Sequence, residues 1–177
     1  MNASHIRYRV RQFWIALGAT RLNTSDLEPA RAMLTTKQMA LFTRLQASEQ
    51  IHGLRVLQML RAQGESHPDL MAAALLHDVG KCRLPLRLWE RVLIVLGRRF
   101  FPERVKRWGN GTPRGWRRPF VVAEWHPRWG AEMAREAGTS PLVVYLIREH
   151  QTDLPAEALD SLEGHLLSLL QKADNQN

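Results

Sequence analysis

The chain has 177 residues, a length that fits one domain able to bury a hydrophobic core without disulfide or zinc cross-links. Its one cysteine, Cys82, excludes an intrachain disulfide, and no apolar run approaches the roughly 20 residues of a membrane-spanning helix. These features suit a reducing compartment, so we expect a cytoplasmic protein and not a secreted or membrane-spanning one.

The positive charge is concentrated in one segment. The formal net charge is +8, and residues 81–118 hold twelve Lys or Arg against Glu90 and Glu103, a local balance of +10, so the rest of the chain sums to −2. Clustered cations raise the local concentration of anionic ligands, so this segment is suited to nucleotides, nucleic acid or anionic lipid. A solvated basic surface without a ligand is the alternative interpretation.

The first part of the chain carries helix signals and no alternating strand pattern, which predicts an all-α fold. Residues 3–18 are predicted to form an arginine-rich amphipathic helix. Thr35 or Thr36 is suited to cap a second helix, and Ser48 a third that runs to about residue 61. We expect residues 1–47 to form an N-terminal helical extension packed on a core that comprises residues 48–177.

The centre of the sequence holds an apolar helix that ends at His77 and Asp78. Residues 70–76 are apolar almost all round, which predicts a buried helix, and Gly80 predicts its stop. Pro85 is expected to open the next helix. Residues 98–118 mix arginines with glycines and prolines, which predicts a basic, lid-like insertion that is partly irregular.

Three further helices are predicted in the last third of the chain. Pro127 is expected to start one that Gly138 ends, and the Ser-Pro pair at 140–141 to start another that reaches His150. Pro155 is expected to precede the last helix. In that helix Asp174 stands one turn after the last residue of an apolar face.

Six His and Asp residues stand at helix positions beside apolar stripes, where a buried polar side chain without a partner is costly. A shared metal centre removes that cost, since imidazole and carboxylate ligands suit manganese, iron, cobalt, zinc or magnesium. Two metals close together require a bridging oxygen, and Asp78, next to His77, is the natural bridge. The predicted metal ligands are His52, His77, Asp78, His126, His150 and Asp174.

Some of these residues also have an interpretation without a metal. A lone histidine on an amphipathic helix is commonly packed or exposed, and this applies most to His52. His126 could occupy the entry to a helix before Pro127, and His150 could complement the negative end of its own helix.

The ordered set resembles the HD superfamily of metal-dependent phosphohydrolases, whose pattern is H…HD…D on a helical core. The resemblance covers residues 48–174 and includes His52 in EQIH, the pair at 77–78 in LLHDVGK, and Asp174 in KAD. Two further histidines, in HPRWG and REHQ, correspond to the binuclear branch. The stretch QTDLP that follows His150 departs from the His-His-Glu and Gly-Tyr-Pro pattern of members that cleave cyclic di-guanylate.

The resemblance implies a single HD-domain helical bundle that binds two divalent metal ions and hydrolyses a phosphoester, as a phosphomonoesterase or a phosphodiesterase. A nucleotide or a related small phosphorylated metabolite is the expected substrate. Asp78 and Lys81 are the expected catalytic residues, because Lys81 can contact the phosphate and offset the charge of the transition state. The expected substrate-binding residues are Lys81, Arg98, Arg99, Arg117 and Arg118.

The sequence leaves two other functions open. The same ligand order resembles di-iron oxygenases such as inositol oxygenase, in which the metals activate dioxygen. The second alternative is a noncatalytic module, whose basic segment and first helix bind nucleic acid, an anionic membrane surface or a partner protein. The first helix is also suited to a homodimer interface.

Overall fold

A computed structural model describes residues 22–176. The amphipathic helix predicted at residues 3–18 lies outside the described residues. Over residues 22–176 every regular element is an α-helix or a 3-10 turn, which confirms the all-α prediction. No described helix has the length and apolar composition needed to span a bilayer.

The first described helices are short and lead into the core. A 3-10 turn at Thr24–Leu27 precedes α1 (Glu28–Arg31), and α2 (Thr36–Phe42) follows. Thr35 caps α2, as predicted. Its side-chain oxygen accepts the N–H of Gln38 at 3.4 Å, and the Gln38 side-chain oxygen accepts the N–H of Thr35 at 2.8 Å. This reciprocal pair satisfies donors that the start of a helix leaves without partners.

Two packed helices form the centre of the fold, α3 (Ala47–Ala62) and α4 (Pro68–Leu76). Every residue from 70 to 76 is buried, as expected of a helix that is apolar all round. The residues that follow α4 are therefore delivered into the interior. A 3-10 turn at Val79–Arg83 comes next, and the remaining helices are α5 (Leu88–Phe100), α6 (Pro102–Gly109), α7 (Arg118–Glu136), α8 (Pro141–Glu149) and α9 (Leu162–Gln176).

The prediction that Pro127 starts a helix is wrong, because α7 runs through it without a break. Pro119 stands in the first turn of α7, a position at which a proline is tolerated. An internal proline removes one N–H donor and normally breaks or kinks a helix. In α7 buried residues on both sides of Pro127 hold the two halves against the core. Tertiary packing therefore overrides the local signal.

The helix starts on either side of residue 150 differ in how well they were predicted. α8 begins after Ser140, whose side-chain oxygen accepts the N–H of Val143 at 3.1 Å, as the sequence suggested. The last helix begins later than predicted. Pro155 precedes a 3-10 turn at Ala156–Asp160, and α9 starts only at Leu162.

The basic insertion at 98–118 is more helical than predicted. α5 extends to Phe100, α6 covers the next stretch, and residues 110–114 form the irregular part. Aromatic packing explains this order: the Trp108 ring lies 5.0 Å from that of Phe120 on α7 and 5.1 Å from that of Trp116, centroid to centroid. The insertion therefore packs on α7 as helices instead of forming a long loop.

Candidate metal centre

The end of α4 places two predicted ligands in the interior. The N–H of His77 still bonds to the carbonyl of Ala73 at 2.8 Å, so the helix fixes where this residue stands. The side chains of His77 and Asp78 are 1% and 6% exposed. An imidazole and a carboxylate buried this deeply require polar partners.

His77 meets one residue from α3 and one from α9. Nε2 of His52 lies 2.8 Å from Oδ1 of Asp174 and 3.2 Å from Nε2 of His77. Nε2 of His77 lies 3.6 Å from the same Asp174 oxygen. These three ligand atoms lie within 4.8 Å of one another, a spacing that one cation can occupy. We call His52, His77 and Asp174 the first triad.

Asp78 meets one residue from α7 and one from the end of α8. Its Oδ1 lies 3.2 Å from Nε2 of His126 and 4.0 Å from Nε2 of His150. The two histidine Nε2 atoms are 3.3 Å apart. These three ligand atoms also lie within 4.8 Å of one another, and all three residues are buried. We call Asp78, His126 and His150 the second triad.

The carboxylate of Asp78 lies between the two triads. Its Oδ2 is 3.6 Å from Nε2 of His77 in the first triad, while its Oδ1 faces His126 in the second. The His77 and His150 rings lie 5.2 Å apart, centroid to centroid. All six predicted ligands are thus brought together, and Asp78, the residue predicted to bridge two metals, lies between the two triads.

In three of the histidine rings Nδ1 is hydrogen-bonded to a backbone carbonyl. A backbone carbonyl only accepts hydrogen bonds, so each of these Nδ1 atoms carries a hydrogen, and in a neutral ring Nε2 is then left with a lone pair. Such second contacts fix the orientation of metal-binding histidines. The acceptors are Ala74 for His77 at 3.0 Å, Val122 and Ala123 for His126 at 3.0 and 3.1 Å, and Ile147 for His150 at 2.7 Å.

In the second triad the Nε2 lone pairs of two neutral histidine rings face each other, and the donor that approaches them is the side-chain amide of Gln151, 3.5 Å from Nε2 of His126. In these tautomers His126 and His150 cannot donate to each other across their 3.3 Å separation. Burial, together with His77 and His126 nearby, lowers the pKa of His150 to about 3, so this ring is neutral at physiological pH. A cation would satisfy both nitrogens. The set of imidazole nitrogens and carboxylate oxygens therefore fits a divalent transition metal.

Both carboxylates are ionised at neutral pH. Burial opposes the charge of Asp78, but the Lys81 ammonium and the neighbouring His77 and His126 hold the pKa of Asp78 well below its usual range. Burial also opposes the charge of Asp174, but His77 and the hydrogen bond to His52 outweigh this effect and lower the pKa of Asp174. Each triad therefore contains one anionic ligand.

Lys81 lies beside the bridging carboxylate and contacts a residue that the sequence prediction missed. Its Nζ is 2.6 Å from Oδ2 of Asp78 and 3.2 Å from Oε2 of Glu49. Despite burial, these two carboxylates raise the pKa of Lys81, so it stays charged. Glu49 also accepts from Arg91 at 2.7 Å. Its position one turn before His52 on α3 was the available sequence signal.

Gly80 of the HDVGK motif allows two parts of the site to touch. A Cβ built at Gly80 would lie 2.6 Å from the backbone nitrogen of Gly130 and would collide with the carbonyl oxygen of His126. Gly80 does not have the positive φ of a left-handed helix stop, so the prediction that it serves as such a stop is wrong. Its role is close packing: it lets the turn after Asp78 lie directly against α7.

The two triads adjoin a cavity of about 960 Å³, whose lining includes His52, Asp78, Lys81 and His150. Arg98 lines it too. A smaller cavity of about 380 Å³ shares Arg98 with it. Cations also line the smaller cavity, with Lys106, Arg128 and Arg148 in addition to Arg98, alongside the carboxylates of Glu124 and Glu149.

The other three arginines predicted to bind substrate make contacts elsewhere. Nη1 of Arg118 binds the buried carboxylate of Glu90 at 2.5 and 2.6 Å. The guanidinium groups of Arg99 and Arg117 lie over the aromatic rings next to them in the sequence. Neither of the two cavities is lined by these three residues. Their assignment to the substrate therefore gains no support from their positions.

Gln151 is a second residue that the sequence prediction missed. Its Nε2 lies 3.5 Å from Nε2 of His126, and its Oε1 lies 3.4 Å from Nη2 of Arg98. Gln171 on α9 holds this turn by donating to the carbonyls of Glu149 and Thr152 at 3.3 and 2.7 Å. The available signal was its position directly after His150.

Four histidines and two aspartates converge where α3, α4, α7, α8 and α9 meet, which defines an all-α protein with a candidate divalent-metal centre. A comparison with protein-family models matches residues 50–175 with the family described as HD domain. Because this match covers most of the chain, the chain belongs to the HD domain family, within a superfamily of metal-dependent phosphohydrolases. A search of curated proteins and a search of solved structures each gave no match.

Proposed function

We propose that this chain hydrolyses a phosphoester of a nucleotide or a related small phosphorylated metabolite at a centre of two divalent metal ions. The first triad would hold one ion and the second triad the other. The observation that carries the proposal is the position of Asp78, whose two carboxylate oxygens face different triads. A carboxylate that bridges two sites is what a binuclear centre requires.

A pair of divalent metals supplies Lewis acidity toward a phosphate oxygen and makes water a better nucleophile at neutral pH. The residues of the chain set where this chemistry would take place. The carbonyl-held rings of His77, His126 and His150 present Nε2 in fixed directions. Burial of Asp78 limits the access of bulk water, which strengthens electrostatic interactions inside the site.

Lys81 is proposed as the residue that contacts the phosphate. Its ammonium lines the larger cavity, and its bonds to Asp78 and Glu49 fix its position. A fixed cation at this edge of the centre can stabilise negative charge that grows on the phosphate oxygens. Arg98, which lines both cavities, is proposed to contact a second anionic group of the substrate.

The proposal is tested by assaying a panel of nucleotides and simple phosphoesters with added manganese. We expect turnover that Asp78→Asn abolishes and that the exposed control Asp160→Asn leaves unchanged. Lys81→Met should lower kcat by about 10- to 1,000-fold. Absence of turnover in protein shown to hold metal would contradict the proposal. If such protein retained iron and consumed oxygen with a polyol, the oxygenase alternative would replace it.

A further inference from the structure

The exposed side of α5 is apolar, the reverse of what a surface helix normally presents. Val95 and Phe100 are each 64% exposed, and Trp89 and Leu96 are also exposed. The side of α5 that faces the protein carries Gly97, which packs against Phe120, and the buried carboxylate of Glu90. The helix therefore presents large hydrophobic side chains to solvent along its whole length.

This apolar surface continues beyond the helix. Phe101 directly follows the helix and is 49% exposed, and Trp116 is 53% exposed. The Trp108 ring connects the two, at 6.2 Å from the Phe101 ring and 5.1 Å from the Trp116 ring, centroid to centroid. Of the eleven large hydrophobic residues that are exposed in residues 22–176, eight fall between positions 88 and 116. Monomeric soluble proteins rarely expose contiguous apolar patches of this kind, and such patches commonly mark interaction sites. We call this surface the α5 face, formed by Leu88, Trp89, Val92, Val95, Leu96, Phe100, Phe101 and Trp116.

Cations surround and enter the α5 face. The guanidinium of Arg99 lies 5.8 Å from the centre of the Phe100 ring, that of Arg104 lies 5.6 Å from Phe101, and that of Arg117 lies 5.3 Å from Trp116. Lys106 and Arg107 are exposed on the adjoining α6. Between positions 88 and 117 the one exposed carboxylate is that of Glu103.

The combination of exposed apolar side chains and cations restricts the kinds of partner that fit. A second copy of the chain would bring two strongly positive surfaces together, which electrostatic repulsion opposes. Nucleic acid would satisfy the arginines but would leave side chains such as Val95 and Leu96 without an apolar environment. The interface of an anionic membrane satisfies both, because acyl chains accept the apolar groups and lipid phosphates accept the cations.

We propose that the α5 face docks this protein on the surface of an anionic lipid bilayer. Trp89, Val95 and Phe100 enter the boundary between headgroups and acyl chains, and the arginines stacked on exposed rings extend to lipid phosphates. α5 lies in the plane of the surface, because its exposed apolar side chains extend along the length of the helix. This inference does not depend on the proposed hydrolysis.

The test is co-sedimentation of the full chain with vesicles of phosphatidylcholine alone and with vesicles that also contain phosphatidylglycerol. We expect binding to the anionic vesicles to be at least about tenfold tighter, and to weaken as salt is added, because several cations contribute to it. Equal binding to both kinds of vesicle, or binding to neither, would overturn the proposal.

Variants assign the binding to the α5 face. Residues 1–21 also contain arginines, so vesicle binding by the unaltered chain does not by itself show that the α5 face is responsible. The double variant Val95→Asp/Phe100→Asp should weaken binding at least about tenfold, since it removes two apolar groups and adds two negative charges. Arg104→Glu/Arg107→Glu should do the same through charge alone. The matched control is Leu162→Asp, an exposed leucine on α9 outside this face.

Three further outcomes would overturn docking of the α5 face on a membrane. All of the altered residues are exposed, and circular dichroism will show that the variants stay folded. Unchanged vesicle binding by Val95→Asp/Phe100→Asp would overturn the proposal. The proposal would also be overturned if the unaltered chain does not bind vesicles but forms a dimer in light scattering, and the same double variant is monomeric. Salt-sensitive binding to DNA without binding to vesicles would overturn it in favour of a nucleic-acid surface.

Discussion

The ring of His126 donates to a backbone carbonyl that Pro127 leaves without its usual helical partner. In a regular helix the N–H of residue 127 would donate to the carbonyl of Ala123, but proline has no N–H. Nδ1 of His126 lies 3.1 Å from that carbonyl oxygen. The proline therefore helps to fix the tautomer that turns Nε2 of His126 toward the candidate metal centre.

We predict that Pro127→Ala loosens metal binding without disrupting the fold. Alanine restores the N–H to the Ala123 carbonyl, and His126 then keeps Val122 as its main acceptor at 3.0 Å. The affinity for manganese should fall by up to about tenfold, the low end of the effect of outer contacts on metal ligands. Isothermal titration calorimetry measures this. Pro141→Ala, at the exposed start of α8, is the control, and equal affinities in the two variants would contradict the prediction.

We predict that two carboxylate variants differ in metal stoichiometry. Asp78→Asn removes a ligand of the second triad and the proposed bridge to the first, so both metal ions should be lost. Asp174→Asn removes a ligand from the first triad alone, so about one ion should remain. Plasma mass spectrometry on protein purified without added metal gives the two stoichiometries, with Asp160→Asn as control. Retention of one ion by Asp78→Asn would show that this carboxylate does not bridge.

We predict that Gly80→Ala destabilises the protein because an added methyl group would meet the backbone of α7. The atoms in its way belong to His126 and Gly130, and backbone cannot move aside as a flexible side chain can. The free energy of unfolding in urea should fall by about 1–3 kcal/mol or more. Metal affinity should fall as well, since His126 would be displaced. Gly111→Ala, where the nearest atom is 3.4 Å away, should leave both quantities unchanged.

We predict a structural role for Arg118. Its guanidinium is paired with Glu90, whose side chain is 3% exposed. Removal of the arginine leaves this buried carboxylate without its countercharge, with the N–H of Arg87 at 2.7 Å as its remaining hydrogen-bond donor among the described residues. Arg118→Met should lower the free energy of unfolding by about 2–4 kcal/mol. The double variant Glu90→Gln/Arg118→Met should lose less than the sum of the single variants. A raised KM in Arg118→Met at unchanged stability would instead support the substrate role predicted from sequence.

We predict that Cys82 reacts slowly at neutral pH. Burial, together with the negative charges of Glu49 and Asp78, raises its pKa to about 11, although Arg44 opposes the shift. The unfolded thiol titrates near pH 8.5, so alkylation of the folded protein at pH 7 should be about 300 times slower than in urea. Its rate should rise about tenfold per pH unit up to pH 10.

The same thiol sets the sign of one contribution to stability. Above pH 8.5 or so the unfolded chain releases the thiol proton while the folded chain retains it, so this contribution favours unfolding as the pH rises. Cys82→Ser should flatten the alkaline decrease in stability. Rapid alkylation of the folded protein at neutral pH would contradict both statements.

Local chemistry made several elements predictable. The cap at Thr35, the start of α8 after Ser140 and the buried run at 70–76 follow from neighbours within one or two turns. The helical course of α7 through Pro127 was not predictable from such signals. It depends on a histidine ring that replaces a missing donor, and on packing against distant parts of the chain.

The sequence by itself determined the helical class, the six candidate ligands and their order, because side-chain chemistry and helical periodicity are local properties. Only the tertiary structure decided how the ligands divide into two triads, since His52 and Asp174 are 122 positions apart and meet through packing. It also decided that Arg118 pairs with a buried glutamate and that α5 exposes an apolar side. Such contacts depend on which helix faces cover each other, a property of the whole chain.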